Sequence, residues 1–239
     1  MHFAIFQHIA CEHPGVFRRF FAKDGIVTTA IELDEGDEIP DLSSFDALVV
    51  MGGPMDVWQE DQHPWLTQEK AAIRHAVMDL KMPYLGLCLG HQLLAQALGG
   101  DVGPSARPEI GIMDVDLNKA GLQSPFLKGL SATQKCLQWH SAEITKTPDG
   151  AKVLASSPAC KVQAMSYGSH AFSMQYHVEL EEDTVSNWGA IPEYKSSLEN
   201  ALGDNALPQL EAEANANMAG FNAAAKVLYR NFLMATGLR

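Results

Sequence analysis

The chain has 239 residues, of which 46% are hydrophobic and 19% are charged, and its formal net charge is −12 at pH 7. This composition is typical of a globular protein with a sizeable core, and the acidic balance without any basic cluster argues against nucleic-acid binding. No stretch approaches the roughly 20 apolar residues of a membrane span, and the first residues lack the basic region of a signal peptide, so we expect a cytoplasmic protein with no membrane association.

The first part of the chain alternates between predicted strands and predicted helices. Apolar and β-branched runs predict strands at residues 2–6, 27–33 and 45–51, and amphipathic spacing predicts helices at residues 14–25 and at about 67–80. Consecutive strands that are separated by helices usually pair in parallel. The pattern therefore predicts an α/β fold in three layers, with a doubly wound, mostly parallel sheet.

After Gly99-Gly100 the predicted strands are shorter and are separated by turns. They lie at residues 111–117, 135–139, 152–155, 161–166 and 171–176. The Tyr167-Gly168-Ser169 turn predicts a hairpin between the last two. From residue 180 onward the strand signals vanish, and an Ala-rich stretch at 210–234 predicts a helix. Because no repeat or low-complexity linker interrupts the chain, we predict one domain over residues 1–239 with a helical tail from about 180 to 239.

A glycine-flanked cysteine, Cys88, lies where a short apolar strand passes into a predicted helix. Gly86 and Gly90, two residues to either side, leave room for the two backbones to pass closely and force a sharp reversal. The cysteine at the apex is then held in a strained turn with its side chain above the sheet. This arrangement predicts a nucleophile elbow that carries a thiol. Taken alone, the pattern fits a small buried cysteine equally well.

A histidine and a glutamate, His177 and Glu179, stand two residues apart at the end of the last predicted strand. Residues two apart in an extended segment face the same side. Glu179 can therefore orient His177 while His177 takes the proton of Cys88, as in a catalytic triad. A lone histidine in a strand is more often a structural residue, so this interpretation depends on the elbow.

Two loops that follow predicted strands complete the candidate site. In Gly52-Gly53-Pro54 the two glycines have no side chain to screen their amides, so the loop can aim an N–H group at a developing oxyanion, with the Leu89 amide as the second donor. His140 and Ser141 follow another strand and can present polar groups to the ammonium group of a ligand. A simple turn is the alternative interpretation of either loop.

The remaining cysteines and histidines show no ligand pattern. The four cysteines form no CxxC pair, and the nine histidines lack the HExxH type of spacing. We therefore expect no disulfide framework, no metal and no cofactor. The chain also lacks a P-loop, so any ATP-dependent chemistry would require another chain.

Together these motifs resemble the class I glutamine amidotransferase family. The likeness rests on Gly86-Leu87-Cys88-Leu89-Gly90-His91-Gln92, on Gly52-Gly53-Pro54 and on Tyr176-His177-Val178-Glu179, three motifs in register along the chain. The free-standing, GMP-synthase-like members are the most similar, since His63-Pro64-Trp65-Leu66 and Glu109-Ile110-Gly111 also resemble segments of those proteins. The resemblance implies a flavodoxin-like architecture.

The resemblance also implies roles for these residues. Cys88 would attack the side-chain amide of glutamine, or of a similar γ-glutamyl amide, giving a γ-glutamyl thioester and releasing ammonia or an amine. His177 would act as base and then as acid, held by Glu179. The amides of Gly53 and Leu89 would line the oxyanion hole. Contacts with the substrate would come from Gly52, Gln92, His140 and Ser141.

The sequence departs from the family pattern at three places. Val178 stands where a proline is usual between the histidine and the glutamate. Relatives often carry an aspartate directly after Trp-His-Gly. In this chain the acid is Glu143, which stands one position later and has a longer side chain. The apolar run Met55-Asp56-Val57-Trp58 lacks a serine often found there. These changes concern the choice of substrate more than the chemistry.

Three functions remain open at the level of sequence. An ammonia-producing amidotransferase would work with a synthetase subunit that is separate and ATP-dependent. The second function is that of a self-sufficient γ-glutamyl peptidase or amide hydrolase, which would use the same triad on a different leaving group. A non-catalytic regulatory module would merely retain the motif residues. The intact set of Cys88, His177 and Glu179 favours the two enzymes.

Overall fold

The computed structural model describes all residues from Met1 to Arg239. The strands are β1 (His2–Gln7), β2 (Val27–Glu32), β3 (Ala47–Val50), β4 (Tyr84–Leu87), β5 (Asp101–Leu117), β6 (Thr133–Lys146), β7 (Ala151–Ser156), β8 (Ala164–Tyr167) and β9 (Ala171–Met174). The α-helices are α1 (Phe17–Lys23), α2 (Trp65–Arg74), α3 (Leu89–Ala97), α4 (Lys119–Gln123), α5 (Thr184–Gly189), α6 (Pro192–Leu202) and α7 (Ala206–Ala235).

All nine strands belong to one sheet, in the order β2-β1-β3-β4-β9-β8-β7-β5-β6. The strands from β2 to β9 in this order pair in parallel, and the sheet then continues through antiparallel pairs to β6. The predicted doubly wound α/β fold is confirmed. The predicted hairpin is confirmed as well, since β8 and β9 pair around Gly168, whose φ is 60°.

Helices cover both faces of the parallel half of the sheet and give the fold its three layers. Phe3 and Ile5 of β1 pack into one hydrophobic core with α1 and the C-terminal helices. Ala4 and Phe6, which alternate with them, pack into a second core with α2 and α3. Because both faces are covered, β3 and β4 are buried at every position, which explains their continuous apolar sequence.

The hairpin of β5 and β6 is longer than the sequence predicted. β5 has 17 residues and β6 has 14, against the short strands predicted at 111–117 and 135–139. The first eight residues of β5 include no buried position. Along this part of the hairpin only β6 alternates, with Ala142 and Ile144 buried, so period-two reasoning finds no signal in the first half of β5.

Two predicted boundaries are corrected by the structure. The last strand ends at Met174 instead of residue 176, because the chain bends there. His177 then pairs with Leu137 of β6 through backbone hydrogen bonds of 2.9 and 3.0 Å. The helix predicted at 67–80 begins at Trp65, and its last turn, His75–Asp79, is π-helical.

Even the longest helix, α7 with 30 residues, lacks the apolar stretch that a membrane span requires.

Candidate active site

Cys88 occupies a strained turn between β4 and α3. Its φ of 49° and ψ of −103° lie in a region that L-residues rarely adopt. The Cys88 amide donates to the Met174 carbonyl at 2.9 Å, and the Gly90 amide donates to the Met51 carbonyl at 3.0 Å. These bonds to neighbouring elements hold the turn in place, so the strain is maintained by the surrounding fold.

The two glycines of the elbow are required by close backbone contacts. A Cβ atom on Gly90 would lie 2.2 Å from the carbonyl oxygen of Val50, and one on Gly86 would lie 2.7 Å from the carbonyl oxygen of Gly90. Neither neighbour is a flexible side chain that could turn away. The two glycines of Gly-x-Cys-x-Gly are therefore required because β3, β4 and α3 pack closely around the cysteine turn.

Replacing Gly90 by alanine is expected to destabilise the protein, although alanine is the better helix former. The new methyl group would collide with the Val50 carbonyl, and overpacking of this kind costs about 1–3 kcal/mol or more. The measurement is the free energy of unfolding from urea titration. Gly220→Ala in α7 is the matched control, because a Cβ there meets no atom within 4 Å and should be neutral or stabilising. Equal stability of Gly90→Ala and wild type would contradict the assigned packing.

His177 and Glu179 form a buried pair below the cysteine. The Nδ1 atom of His177 lies 2.5 Å from Oε1 of Glu179, and both side chains are at most 3% exposed. The other carboxylate oxygen accepts the backbone amide of Val178 at 2.9 Å. The Trp188 and His177 rings pack edge to face, with centroids 4.7 Å apart and planes at 71°. These contacts fix the imidazole in one orientation.

The charge state of His177 follows from this environment. Burial alone would lower the pKa of His177, but the Glu179 carboxylate and the adjacent Cys88 sulfur outweigh burial and hold the pKa well above its ordinary value. A histidine in this position keeps a proton readily once it has accepted one. The pair can thus receive a proton from a thiol and stabilise the resulting imidazolium.

Two unpaired backbone amides complete the surroundings of the thiol. The N–H groups of Gly53 and Leu89 make no hydrogen bond within the protein. Both residues line, together with Cys88, a cavity of about 190 Å³. Unpaired donors beside a nucleophile are what an oxyanion site requires.

The four predicted substrate contacts differ in where they lie. Gln92, His140 and Ser141 line the cavity, whereas Gly52 does not. The Gly52 carbonyl instead accepts a hydrogen bond from the His8 ring, at 2.7 Å. Gly52 therefore precedes the cavity residue Gly53 without lining the cavity itself, and its contact with a ligand stays a prediction.

The side-chain amide of Gln92 belongs to a network that ends at the thiol. Its Nε2 atom donates to Oε1 of Gln175 at 2.9 Å, and Nε2 of Gln175 lies 3.5 Å from the Cys88 sulfur. His140 is held through Nδ1, which lies 2.9 Å from the Ala142 carbonyl oxygen. Its Nε2 atom lies 3.3 Å from the Glu109 carboxylate but makes no hydrogen bond. The cavity wall is therefore built from side chains with fixed orientations.

The three departures from the family pattern have structural consequences. Val178 supplies the amide that bonds Glu179, a donor that proline would lack. Glu143 does not line the cavity and lies close to Cys160. Of the apolar run, Val57 is fully buried, Trp58 is 41% exposed and Met55 lines the cavity.

Sequence reasoning assigned no role to several buried polar residues at the site, among them His8, Glu12, Glu69, Gln175 and Tyr194. The Tyr194 hydroxyl donates to Glu12, which is 1% exposed and lies near His177. Burial raises the pKa of Glu12, against the opposing effects of His177 and of the Tyr194 hydroxyl. One signal was available, since His8 and Glu12 follow β1 at the carboxyl edge of a parallel sheet, where ligands usually bind.

The fold and this site define an α/β protein with a thiol elbow that faces a His–Glu pair, and known proteins are similar to it in sequence. A family model described as glutamine amidotransferase class-I matches residues 17–185. A subunit of the glutamine-hydrolyzing GMP synthase of Sulfolobus acidocaldarius is 34% identical over 171 residues, which cover 70% of this chain and 85% of that protein. The glutamine amidotransferase-like protein YfeJ of Salmonella typhimurium is 30% identical over 207 residues, covering 85% and 84%.

Solved structures agree with these relatives. A glutamine amidotransferase from Methylobacillus flagellatus superimposes with a TM-score of 0.85 at 29% identity, covering 97% of this chain and 94% of that one. A glutamine amidotransferase from Thermotoga maritima shares the fold with a TM-score of 0.86 at 23% identity, over 98% of each chain. The chain belongs to the class I glutamine amidotransferase family.

Proposed function

We propose that the protein hydrolyses the γ-amide of glutamine, or of a related γ-glutamyl amide, through a thioester on Cys88. The observation that carries this proposal is the convergence of three features at one point. The strained thiol and the unpaired amides of Gly53 and Leu89 line one small cavity. The buried His177–Glu179 pair does not line this cavity, but His177 lies within hydrogen-bond reach of the thiol. A thiol, a base and an oxyanion site together are what acyl transfer needs.

The proposed reaction has two halves. The Cys88 proton first passes to His177, which gives a thiolate and an imidazolium. The sulfur then attacks the amide carbon, and the oxyanion accepts hydrogen bonds from the two amides. The C–N bond then breaks as His177 gives the proton to the leaving nitrogen, which departs as ammonia or an amine. Water next attacks the γ-glutamyl thioester with His177 as base, releasing the γ-carboxylate and restoring the thiol.

Substrate contacts are proposed for the residues that line the cavity. Gln92, His140 and Ser141 surround the thiol, and Glu193 on α6 adds a carboxylate at the same cavity. A glutamyl group carries an α-ammonium, and an acidic side chain at the rim suits such a cation. Gly52 is not among these residues, and its carbonyl oxygen faces His8.

We further propose that the released ammonia passes to a synthetase subunit that is separate and ATP-dependent. This part rests on relatives, several of which are named as subunits of glutamine-hydrolyzing GMP synthases. The second candidate is a self-sufficient γ-glutamyl amide hydrolase. It is supported by a groove of about 500 Å³ that shares Ser141, Glu193 and Ser197 with the active-site cavity and has room for a larger leaving group.

Steady-state turnover by the isolated chain distinguishes these two candidates. For an ammonia donor, we expect slow hydrolysis of glutamine that rises sharply when a synthetase is added, because such sites are often completed by partner docking. For an independent hydrolase, we expect fast turnover of γ-glutamyl amides of bulky amines with glutamine nearly inert. Cys88→Ala is the negative control for background hydrolysis. No turnover of any γ-glutamyl amide, with or without a synthetase, would reject the proposed function.

A further inference from the structure

A second buried histidine, His8, lies directly behind the candidate oxyanion loop. It follows β1 and is 1% exposed. Its Nδ1 atom is 2.7 Å from the Gly52 carbonyl oxygen, and its Nε2 atom is 2.8 Å from Oε1 of Glu69 on α2. The ring stacks on Trp65, with centroids 5.5 Å apart and planes 15° from parallel. None of the reaction steps above uses this residue.

The carbonyl that His8 holds belongs to the same peptide unit as the Gly53 amide. A peptide unit is planar and trans, so its C=O and N–H bonds point in opposite directions. Fixing the Gly52 oxygen against His8 therefore directs the Gly53 N–H the other way. A link between two glycines is otherwise the least restricted in the chain. The orientation of this amide thus needs an external restraint, and His8 provides one.

The partners of His8 also determine its charge. The Gly52 carbonyl oxygen can only accept, so Nδ1 must donate, and a Glu69 carboxylate accepts from Nε2. A ring that makes both of these bonds is an imidazolium. Burial by itself lowers the pKa of His8, but Glu69, the Gly52 carbonyl and Glu12 outweigh it and raise the pKa. Glu69 on α2 and Glu12 after β1 are the charged groups that face the ring. A charged donor on the carbonyl polarises the peptide and makes its N–H a stronger donor.

We propose that His8, held by Glu69, is a positioning residue that orients and polarises the Gly53 amide of the oxyanion hole. The inference rests on the proposed function, because it assigns a purpose to an amide whose role belongs to that proposal. It implies that the catalytic set extends behind the loop, through one peptide bond, to an ion pair that never touches the substrate.

The kinetic test compares His8→Phe, His8→Gln and Glu69→Gln. Loss of an oxyanion donor typically costs about 10²–10³-fold in kcat, so loss of its orientation should cost somewhat less, about 10–10²-fold. His8→Phe keeps the stacking on Trp65 but removes both donors, and kcat should fall while KM stays near wild type. His8→Gln should recover part of the loss, because its amide can still donate to the Gly52 carbonyl. Glu69→Gln should lose activity as pH rises, because the His8 proton is held less firmly.

Two controls separate positioning from general damage. Alkylation of Cys88 by iodoacetamide builds no oxyanion, so its rate should be unchanged in His8→Phe. His170→Phe is the matched variant, since His170 also lies 3.0 Å from a backbone carbonyl, that of Val77, away from the cavity. It should keep full activity. Wild-type kcat in His8→Phe, or no recovery in His8→Gln, would overturn the inference.

A second measurement needs no turnover. In protein labelled with ¹⁵N-glycine, the Gly53 amide signal should shift in His8→Gln and Glu69→Gln, whereas distant glycines such as Gly220 should not. In wild type, ¹⁵N-histidine spectra should show both His8 nitrogens protonated near pH 7. An unshifted Gly53 signal or a neutral His8 would reject the inference, even if wild type hydrolyses γ-glutamyl amides. If wild type hydrolyses none, the proposed function fails, and the spectra still decide whether His8 governs this amide.

Discussion

Cys88→Ala is expected to abolish turnover of every γ-glutamyl amide while leaving the thermal midpoint close to that of wild type. No other thiol can replace Cys88, because neither Cys11, Cys136 nor Cys160 lines the cavity. Burial raises the pKa of Cys11 to about 11 and that of Cys160 to about 12, and it raises the pKa of Cys136 well above its ordinary value. The substitution removes only the sulfur atom. It adds no backbone strain, because alanine keeps the Cβ atom and has the same conformational preferences at this turn.

The control for this prediction is a second buried cysteine outside the site. Cys160→Ala should keep wild-type kcat and form the same adduct with a glutamine-analogue electrophile. Mass spectrometry then locates the label. In wild type and in Cys160→Ala it should lie on Cys88, and in Cys88→Ala no label should form. A label on Cys11 or Cys136, or residual turnover in Cys88→Ala, would reject Cys88 as the nucleophile.

The parts of the site that the sequence predicts are those fixed by local backbone geometry. The elbow is visible because Gly86 and Gly90 are each required by a backbone contact near the turn itself. His177 and Glu179 are visible because an extended segment places residues two apart on one side. In both cases the physical cause lies within a few residues of the chain, where pattern reasoning is effective.

The parts that sequence reasoning missed are contacts between distant segments. His8 meets Glu69 across 61 residues, and Tyr194 meets Glu12 across 182. A buried ion pair has no periodicity, and each partner taken alone looks like an ordinary surface residue. A similar limit explains the unexpected length of β5, whose first eight residues include no buried position and pair with β6 only from Asp101 to Pro104.

The order of the strands explains why these distant segments meet. β1, β3, β4 and β9 are neighbours in the sheet and are parallel, so their carboxyl ends share one edge. His8 follows β1, Gly52-Gly53 lies after β3, Cys88 follows β4, and the segment that carries His177 and Glu179 leaves β9. The site is therefore a direct product of the parallel half of the sheet, as expected for open α/β folds.

Removing His177 is expected to cost nearly as much activity as removing the thiol. General-base assistance typically contributes about 10²–10⁴-fold in rate, so His177→Ala should lower kcat by about 10²–10⁴-fold or more. Glu179→Gln should be affected less, because an amide can still orient the ring in part. Glu181→Gln is the matched control two residues along the chain, since Glu181 pairs with Arg18 away from the thiol.

The pH profile distinguishes the role of the Glu179 charge from that of its shape. Protonated His177 is the form that supplies the leaving nitrogen with its proton, and the Glu179 carboxylate is the main influence that raises the pKa of His177. Loss of that charge lowers the pKa, so the proton is lost at lower pH. In Glu179→Gln the alkaline limb of kcat/KM should therefore move to lower pH, whereas Glu181→Gln should leave it in place. If Glu179→Gln kept both the wild-type rate and the wild-type limb, catalysis would rest on Cys88 and His177 alone, and Glu179 would only hold the chain through the Val178 amide.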